Sequence, residues 1–188
     1  MQYIRRLGFI FYFILNFSKF KRIEFRTNVF FSVRVQGGKY ISLFNNTTIQ
    51  RLSWLGAFKI DEHDPELIIE EGCAIGDFAH ITAVRNVHIE RDVLIANNVY
   101  ISDNLHSFAD INIPIIKQKV IFKSIVRIKS GAWIGENVCI IGASVGRNSV
   151  IGSNSVVTKD IPDYCVAVGS PAKVIKKYDL STNEWKMC

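Results

Sequence analysis

At every sixth position through the middle of the chain, a large aliphatic residue recurs in a fixed phase. Ile69, Ile75, Ile89, Ile95, Ile134, Val145 and Ile151 each open a six-residue unit. The next residue is Glu70, Gly76, Glu90, Ala96, Gly135, Gly146 or Gly152. Four places after the opener stand Cys73, Ala79, Val93, Val99, Val138, Ser149 and Ser155. A short strand followed by a tight turn uses six residues per flat face. The opener then points inward, and the residue four later sits at a cramped inner corner and must be small. Polar pairs such as Asn97-Asn98, Glu136-Asn137 and Arg147-Asn148 fall where the turn needs unusual dihedrals. One coil cannot bury its own face, so coils must stack. A sandwich of short strands would alternate with period two and irregular turn spacing. The pattern predicts an all-β chain wound as a parallel β-helix.

The phase breaks in three places. From Ile81 to Ile89 the step is eight, which predicts a bulge carrying Val84, Arg85 and Asn86. From Ile140 to Val145 it is five, a shortening near Gly142. From Ile101 to Ile128 it is 27, so a segment at about 103–127 must leave the coil as a loop. Loops expelled from a rigid scaffold often carry function, and His106 stands near the base of this one.

Upstream the repeat weakens, although Val35, Ile41 and Thr47 keep the six-residue spacing. The regular phase ends near Thr158. The expected organisation is an N-terminal apolar and basic helical segment (1–33), a β-helix domain (34–160), and a C-terminal tail packed on its outside (161–188). Residues 7–17 read LGFIFYFILNF, preceded by Arg5 and Arg6 and followed by Lys19, Lys21 and Arg22. That run is too short for a span of roughly 20 residues and lacks a signal-peptide cleavage site. Two readings stay open: a helix lying in a membrane interface, or one packed on the body or on a neighbouring subunit.

Composition adds limits. Hydrophobic residues make up 48% of the 188, enough for a core. Lys and Arg total 23 against 17 Asp and Glu. This dispersed excess of +6 suits a phosphate-rich small molecule or an acidic membrane and carries no nucleic-acid signature. Cys73, Cys139, Cys165 and Cys188 form no CxxC pair, which favours reduced thiols and a cytoplasmic location, peripheral on the inner membrane face if the helix binds lipid.

The stretches VLIANNVYISDNLHSF, GAWIGENVCIIG and VIGSNSVVTKDIPDYCVAVGSPAKVIKKYD resemble the hexapeptide-repeat acyltransferases, over roughly residues 65 to 180. Among these the likeness is to bacterial polysaccharide O-acetyltransferases, including those acting on lipopolysaccharide O-antigen. The resemblance implies a left-handed parallel β-helix, acetyl-CoA as donor, a carbohydrate acceptor, and a homotrimer with sites between subunits. It places the catalytic base at His106. Asp103 would orient that ring, or alternatively cap a turn. Cofactor contacts fall at Glu136, Gly142, Ser153, Thr158, Lys159, Lys173 and Lys176, with a backbone amide near Gly142 as the oxyanion donor. Arg85, Asn86 and His80 are candidates for the acceptor. N-acetylation of an amino-sugar nucleotide is the alternative enzyme reading, and a non-catalytic β-helix subunit or a metal-dependent β-helix enzyme is a third. A metal-dependent relative would need three histidines at coil-linked spacing; His80 and His106 have no third partner, so no metal is expected.

Overall fold

The computed structural model describes residues 2–188, with side chains from Leu7 onward. Most of the chain winds as a parallel β-helix with three flat faces. One face stacks Arg22–Ile23, Ile41–Leu43, Glu66–Ile69, Asn86–Ile89 and Val126–Ile128. The second stacks Asn28–Val29, Thr48–Ile49, Ala74–Ile75, Leu94–Ile95, Trp133–Ile134, Val150–Ile151 and Cys165–Val168. The third stacks Arg34–Gln36, Trp54–Ala57, His80–Ala83, Tyr100–Ser102, Cys139–Ile141 and Val156–Val157.

Strands stack in register, so like falls on like. Ile49, Ile75, Ile95, Ile134 and Ile151 form one inner column, and all are buried. At about 1.5–3 kcal/mol for each fully buried aliphatic side chain, such columns are the principal source of stability. The predicted small positions, Cys73, Ala79, Val93, Val99, Val138, Ser149 and Ser155, are all buried at corners. Their hydroxyls are satisfied across coils or within the turn: Ser149 donates to the Pro162 carbonyl at 2.7 Å and Ser155 to Gly152 at 2.6 Å. Asn98, Asn137, Asn148 and Asn154 adopt left-handed dihedrals at the turns.

The coil is longer at both ends than expected. It begins at Arg22–Ile23, inside the segment assigned to the N-terminal helix, because Thr27, Val29 and Val33 already turn inward. It also continues past residue 160. Ile161, Cys165 and Ala167 keep the inward phase, and Cys165–Val168 pairs in parallel with Val150–Ile151. The tail then adds Lys173–Asp179 and Glu184–Met187 as antiparallel strands on the edge of the second face. It extends a sheet instead of packing along the outside. The N-terminal helix, Gln2–Asn16, rests on the first coil, where Tyr12 meets Phe31 edge-on at 5.6 Å.

Candidate functional site

All three phase breaks lie at one corner of the coil, where the third face hands over to the first. The bulge follows His80–Ala83, the expelled segment follows Tyr100–Ser102, and the shortening follows Cys139–Ile141. A corner between stacked coils forms an edge of the helix, so three breaks remote in sequence become neighbours along that edge.

The expelled segment is a hairpin. Asn104–His106 pairs antiparallel with Val120–Phe122, and His106 lies opposite Val120. The intervening residues carry Phe108, Ile111 and Ile116 at 70%, 94% and 88% exposure. His106 is exposed, and its ring makes no hydrogen bond among the described residues. It is therefore available to a ligand.

Asp103 sits at the hairpin's base, fully buried. Its carboxylate accepts the amides of Val84 (2.8 Å), Arg85 (2.7 Å) and Asn86 (2.8 Å), and the Asn104 side-chain amide at 2.9 Å. It thus caps the bulge of the previous coil and does not hold the His106 ring. Of the two roles expected for Asp103, the contacts are those of the turn-capping one, because three convergent N–H groups at a buried corner require an acceptor.

Arg85 is likewise engaged. Its guanidinium bonds Asp61 at 2.6 Å and lies 5.2 Å from the Phe122 ring centroid on the hairpin. Asp61 is held down to about 2 by the His63 backbone N–H and then by Arg85. Asn86 donates its amide to Asp103 and reaches Glu66 at 3.5 Å. Arg85 and the Asn86 backbone amide thus fasten the hairpin corner, while the Arg85 Nε is buried without a hydrogen-bond partner. Asp61, Glu62 and His63 bring potential metal ligand atoms within 4.8 Å of one another, but Asp61 is already tied to Arg85.

Gly142 is buried at the same corner, with φ of +51°. Its amide donates to the Ser102 carbonyl at 2.7 Å, so it is not a free oxyanion donor. The Lys123 side chain crosses it and donates to the Ile141 carbonyl at 2.7 Å. A Cβ on Gly142 would fall 2.6–2.9 Å from Lys123 carbons. Both the dihedral and the close approach require glycine.

His80 points outward on the third face, in a column Arg34, Trp54, His80, Tyr100. Its ring stacks on Trp54 at 4.2 Å and meets Tyr100 edge-on at 4.9 Å. Arg34 caps the other side of Trp54 at 4.6 Å. Burial, and secondarily the Arg34 charge, lowers the His80 pKa, so the ring is neutral at pH 7. The Trp54 indole Nε1 is buried without a hydrogen-bond partner. Sequence reasoning missed Arg34, Trp54, Tyr100, Lys123 and Phe122. The column was detectable in principle, since its members lie one coil apart; the hairpin contacts carried no such signal.

The remaining candidates divide. Thr158 and Lys159 are exposed at the corner of the hairpin. Glu136 and Ser153 are exposed at the opposite edge of the third face, where it meets the second. Lys173 and Lys176 are exposed on the added strand Lys173–Asp179. None of the three lysines pairs with a carboxylate among the described residues.

Comparison with known proteins adds relatives. The family described as a hexapeptide repeat of succinyl-transferase matches residues 66–103 and 125–159, leaving out the hairpin. WbbJ of Escherichia coli (strain K12), named for lipopolysaccharide biosynthesis O-acetyl transfer, is 36% identical over 128 residues. That match covers 64% of this chain and 65% of WbbJ. Rv3034c of Mycobacterium tuberculosis (strain ATCC 25618 / H37Rv), named as an acetyltransferase, is 41% identical over 123 residues, covering 65% of this chain and 41% of its own. The chain thus spans less than two thirds of either relative. Among solved structures, the N-acyltransferase AntD from Bacillus cereus, in complex with dTDP and 3-hydroxybutyryl-CoA, superposes with a TM-score of 0.75 at 18% identity. It covers 93% of this chain and 92% of its own, a likeness of fold.

Proposed function

We propose that this chain, which matches the hexapeptide-repeat family model over residues 66–103 and 125–159 and is similar to acetyltransferases, transfers acetyl from acetyl-CoA to a sugar hydroxyl of a surface polysaccharide or its lipid-linked precursor. The observation that carries this reading is the His106 ring, exposed and unbonded on a hairpin whose base is fastened by Asp103, Arg85 and Lys123. A base on a braced strand holds its geometry while its ring stays open to an acceptor.

Acetyl-CoA supplies an activated acyl carbon as co-substrate. The His106 imidazole takes the acceptor's hydroxyl proton as that oxygen bonds to the thioester carbon. When the tetrahedral adduct collapses, the C–S bond breaks and the imidazolium returns the proton to the departing sulfur. Thr158 and Lys159 lie nearest this corner along the coil, and Lys173 and Lys176 offer unpaired charge to the cofactor's phosphates. Glu136 and Ser153 would meet the pantetheine arm from the other edge of the third face. Neutral His80, in its stack with Trp54 and Tyr100, lines the acceptor side.

The homotrimer belongs to the same proposal. Exposed Leu94 and Trp133 on the second face, with Leu52 and Phe78 at the next corner, supply an apolar surface for neighbouring copies.

His106→Ala is expected to lower kcat by about 10²–10⁴-fold at saturating acetyl-CoA, read by thiol release. Near-normal turnover would exclude His106 as the base. The second reading, N-acylation of an amino-sugar nucleotide, is favoured by the likeness to AntD, one structure of which holds dTDP-4-amino-4,6-dideoxyglucose. A panel of hydroxyl and amine acceptors separates the two.

A further inference from the structure

The N-terminal helix has two apolar faces, and the body covers only one. Inward, Phe9 meets Phe30 at 5.1 Å, Tyr12 meets Phe31 at 5.6 Å, and Phe13 meets Phe25 at 5.6 Å, each edge-on. Tyr12 is 6% exposed, and burial raises its pKa to about 12. Outward, Leu7, Phe11, Ile14 and Leu15 are 65%, 56%, 58% and 52% exposed. Their spacing of i, i+4, i+7 and i+8 makes one continuous stripe along the helix. Phe25 and Phe31 carry the surface onto the first coil, at 60% and 58% exposure. An uncovered apolar patch of this kind marks an interaction surface.

Charge identifies the occupant. Residues 1–23 contain Arg5, Arg6, Lys19, Lys21 and Arg22 and no Asp or Glu. The first acid, Glu24, is paired with Arg22, and Lys21 with Glu66, which leaves Lys19 without a carboxylate partner among the described side chains. A second copy presenting the same face would bring like charges together. An anionic bilayer instead offers acyl chains to the stripe and negative headgroups to the flanking bases. At 15 residues and about 1.5 Å rise per residue, the helix falls short of the roughly 30 Å hydrocarbon core. Among the described residues no helix is long and apolar enough to cross. It can lie in the interface but not span it.

We propose that the helix Gln2–Asn16 seats this protein on an anionic lipid surface, with Leu7, Phe11, Ile14 and Leu15 in the acyl boundary and Lys19 among the headgroups. The proposal is independent of acetyl transfer, since it concerns a surface remote in sequence from the hairpin of His106.

The test is flotation of the full chain with two kinds of vesicle: phosphatidylcholine alone, and phosphatidylcholine with phosphatidylglycerol. Protein should float with the anionic vesicles, less with the neutral ones, and less again when salt is raised toward about 1 M, where charges are screened within roughly 3 Å. The double variant Phe11→Asp, Ile14→Asp should lose at least about tenfold in binding while keeping the β-helix melting temperature and turnover on a soluble acceptor. The milder Phe11→Ser, Ile14→Ser variant should show an intermediate loss. Failure to float with anionic vesicles would overturn the proposal, as would equal, salt-insensitive flotation with both kinds. So would double-variant binding like the wild type, or a fall in sedimented mass with vesicle binding unchanged, which would assign the stripe to a second copy. Loss of turnover in His106→Ala leaves all these outcomes unaffected, so the two proposals fail separately.

Discussion

A single buried carboxylate organises the corner. Asp103 accepts three successive bulge amides, and each amide left without an acceptor in a buried site costs about 1–3 kcal/mol. Asp103→Ala is expected to lower unfolding stability by about 3 kcal/mol or more, read as a shifted urea midpoint. His106→Ala, on an exposed ring, should shift it by no more than about 0.5 kcal/mol. If Asp103→Ala kept its midpoint and lost only turnover, Asp103 would be acting on the ring after all. The candidates His106 and Asp103 were legible from the sequence, since both stand at the largest phase break. The division of labour between them was not, because Asp103 acts on amides 17 to 19 residues earlier in the chain. Those amides become its neighbours only when one coil stacks on the next.

At the scale of an element, the third face carries a column that a single strand could not form. Trp54, His80 and Tyr100 each occupy the same outward position on successive coils. Burial and the nearby Arg34 hold His80 below its usual pKa. A histidine whose folded pKa is lowered favours the folded state above its unfolded pKa, about 6.5, and that contribution is lost as pH falls from there through the lowered folded pKa. The melting temperature is therefore expected to drop as pH is lowered below about 6.5, and His80→Phe should flatten that drop. An equal drop in the variant would remove His80 as its source. The hairpin is an element of another kind. Its 27-residue step was visible in the sequence, but its pairing of Asn104–His106 with Val120–Phe122 was not. Ordinary loop composition says nothing of the Arg85 and Lys123 contacts that brace it.

For the whole molecule, the outer surface raises the question of assembly. Leu52 and Phe78 hold left-handed dihedrals at exposed corners where later coils place Asn98, Asn137 and Asn154. Each such conformation costs a non-glycine residue about 1 kcal/mol, and exposed apolar side chains bring no compensation within one chain. A trimer interface would supply it. Trp133→Glu combined with Phe78→Asn is expected to shift sedimentation from trimer to monomer without unfolding the coil; a wild-type chain that sediments as a fully active monomer would remove the trimer. The six-residue phase needed no tertiary knowledge, because a β-helix repeats one local rule: a large inward residue, a small corner, and a turn former. Ile75, Ile95 and Ile134 announce their burial in one dimension for that reason. The ends of the coil at Arg22 and Val168, the single edge shared by three phase breaks, and the partners of Asp103, Arg85 and His80 depend on stacking between coils. Stacking brings together residues about twenty positions apart, a distance at which no local propensity operates.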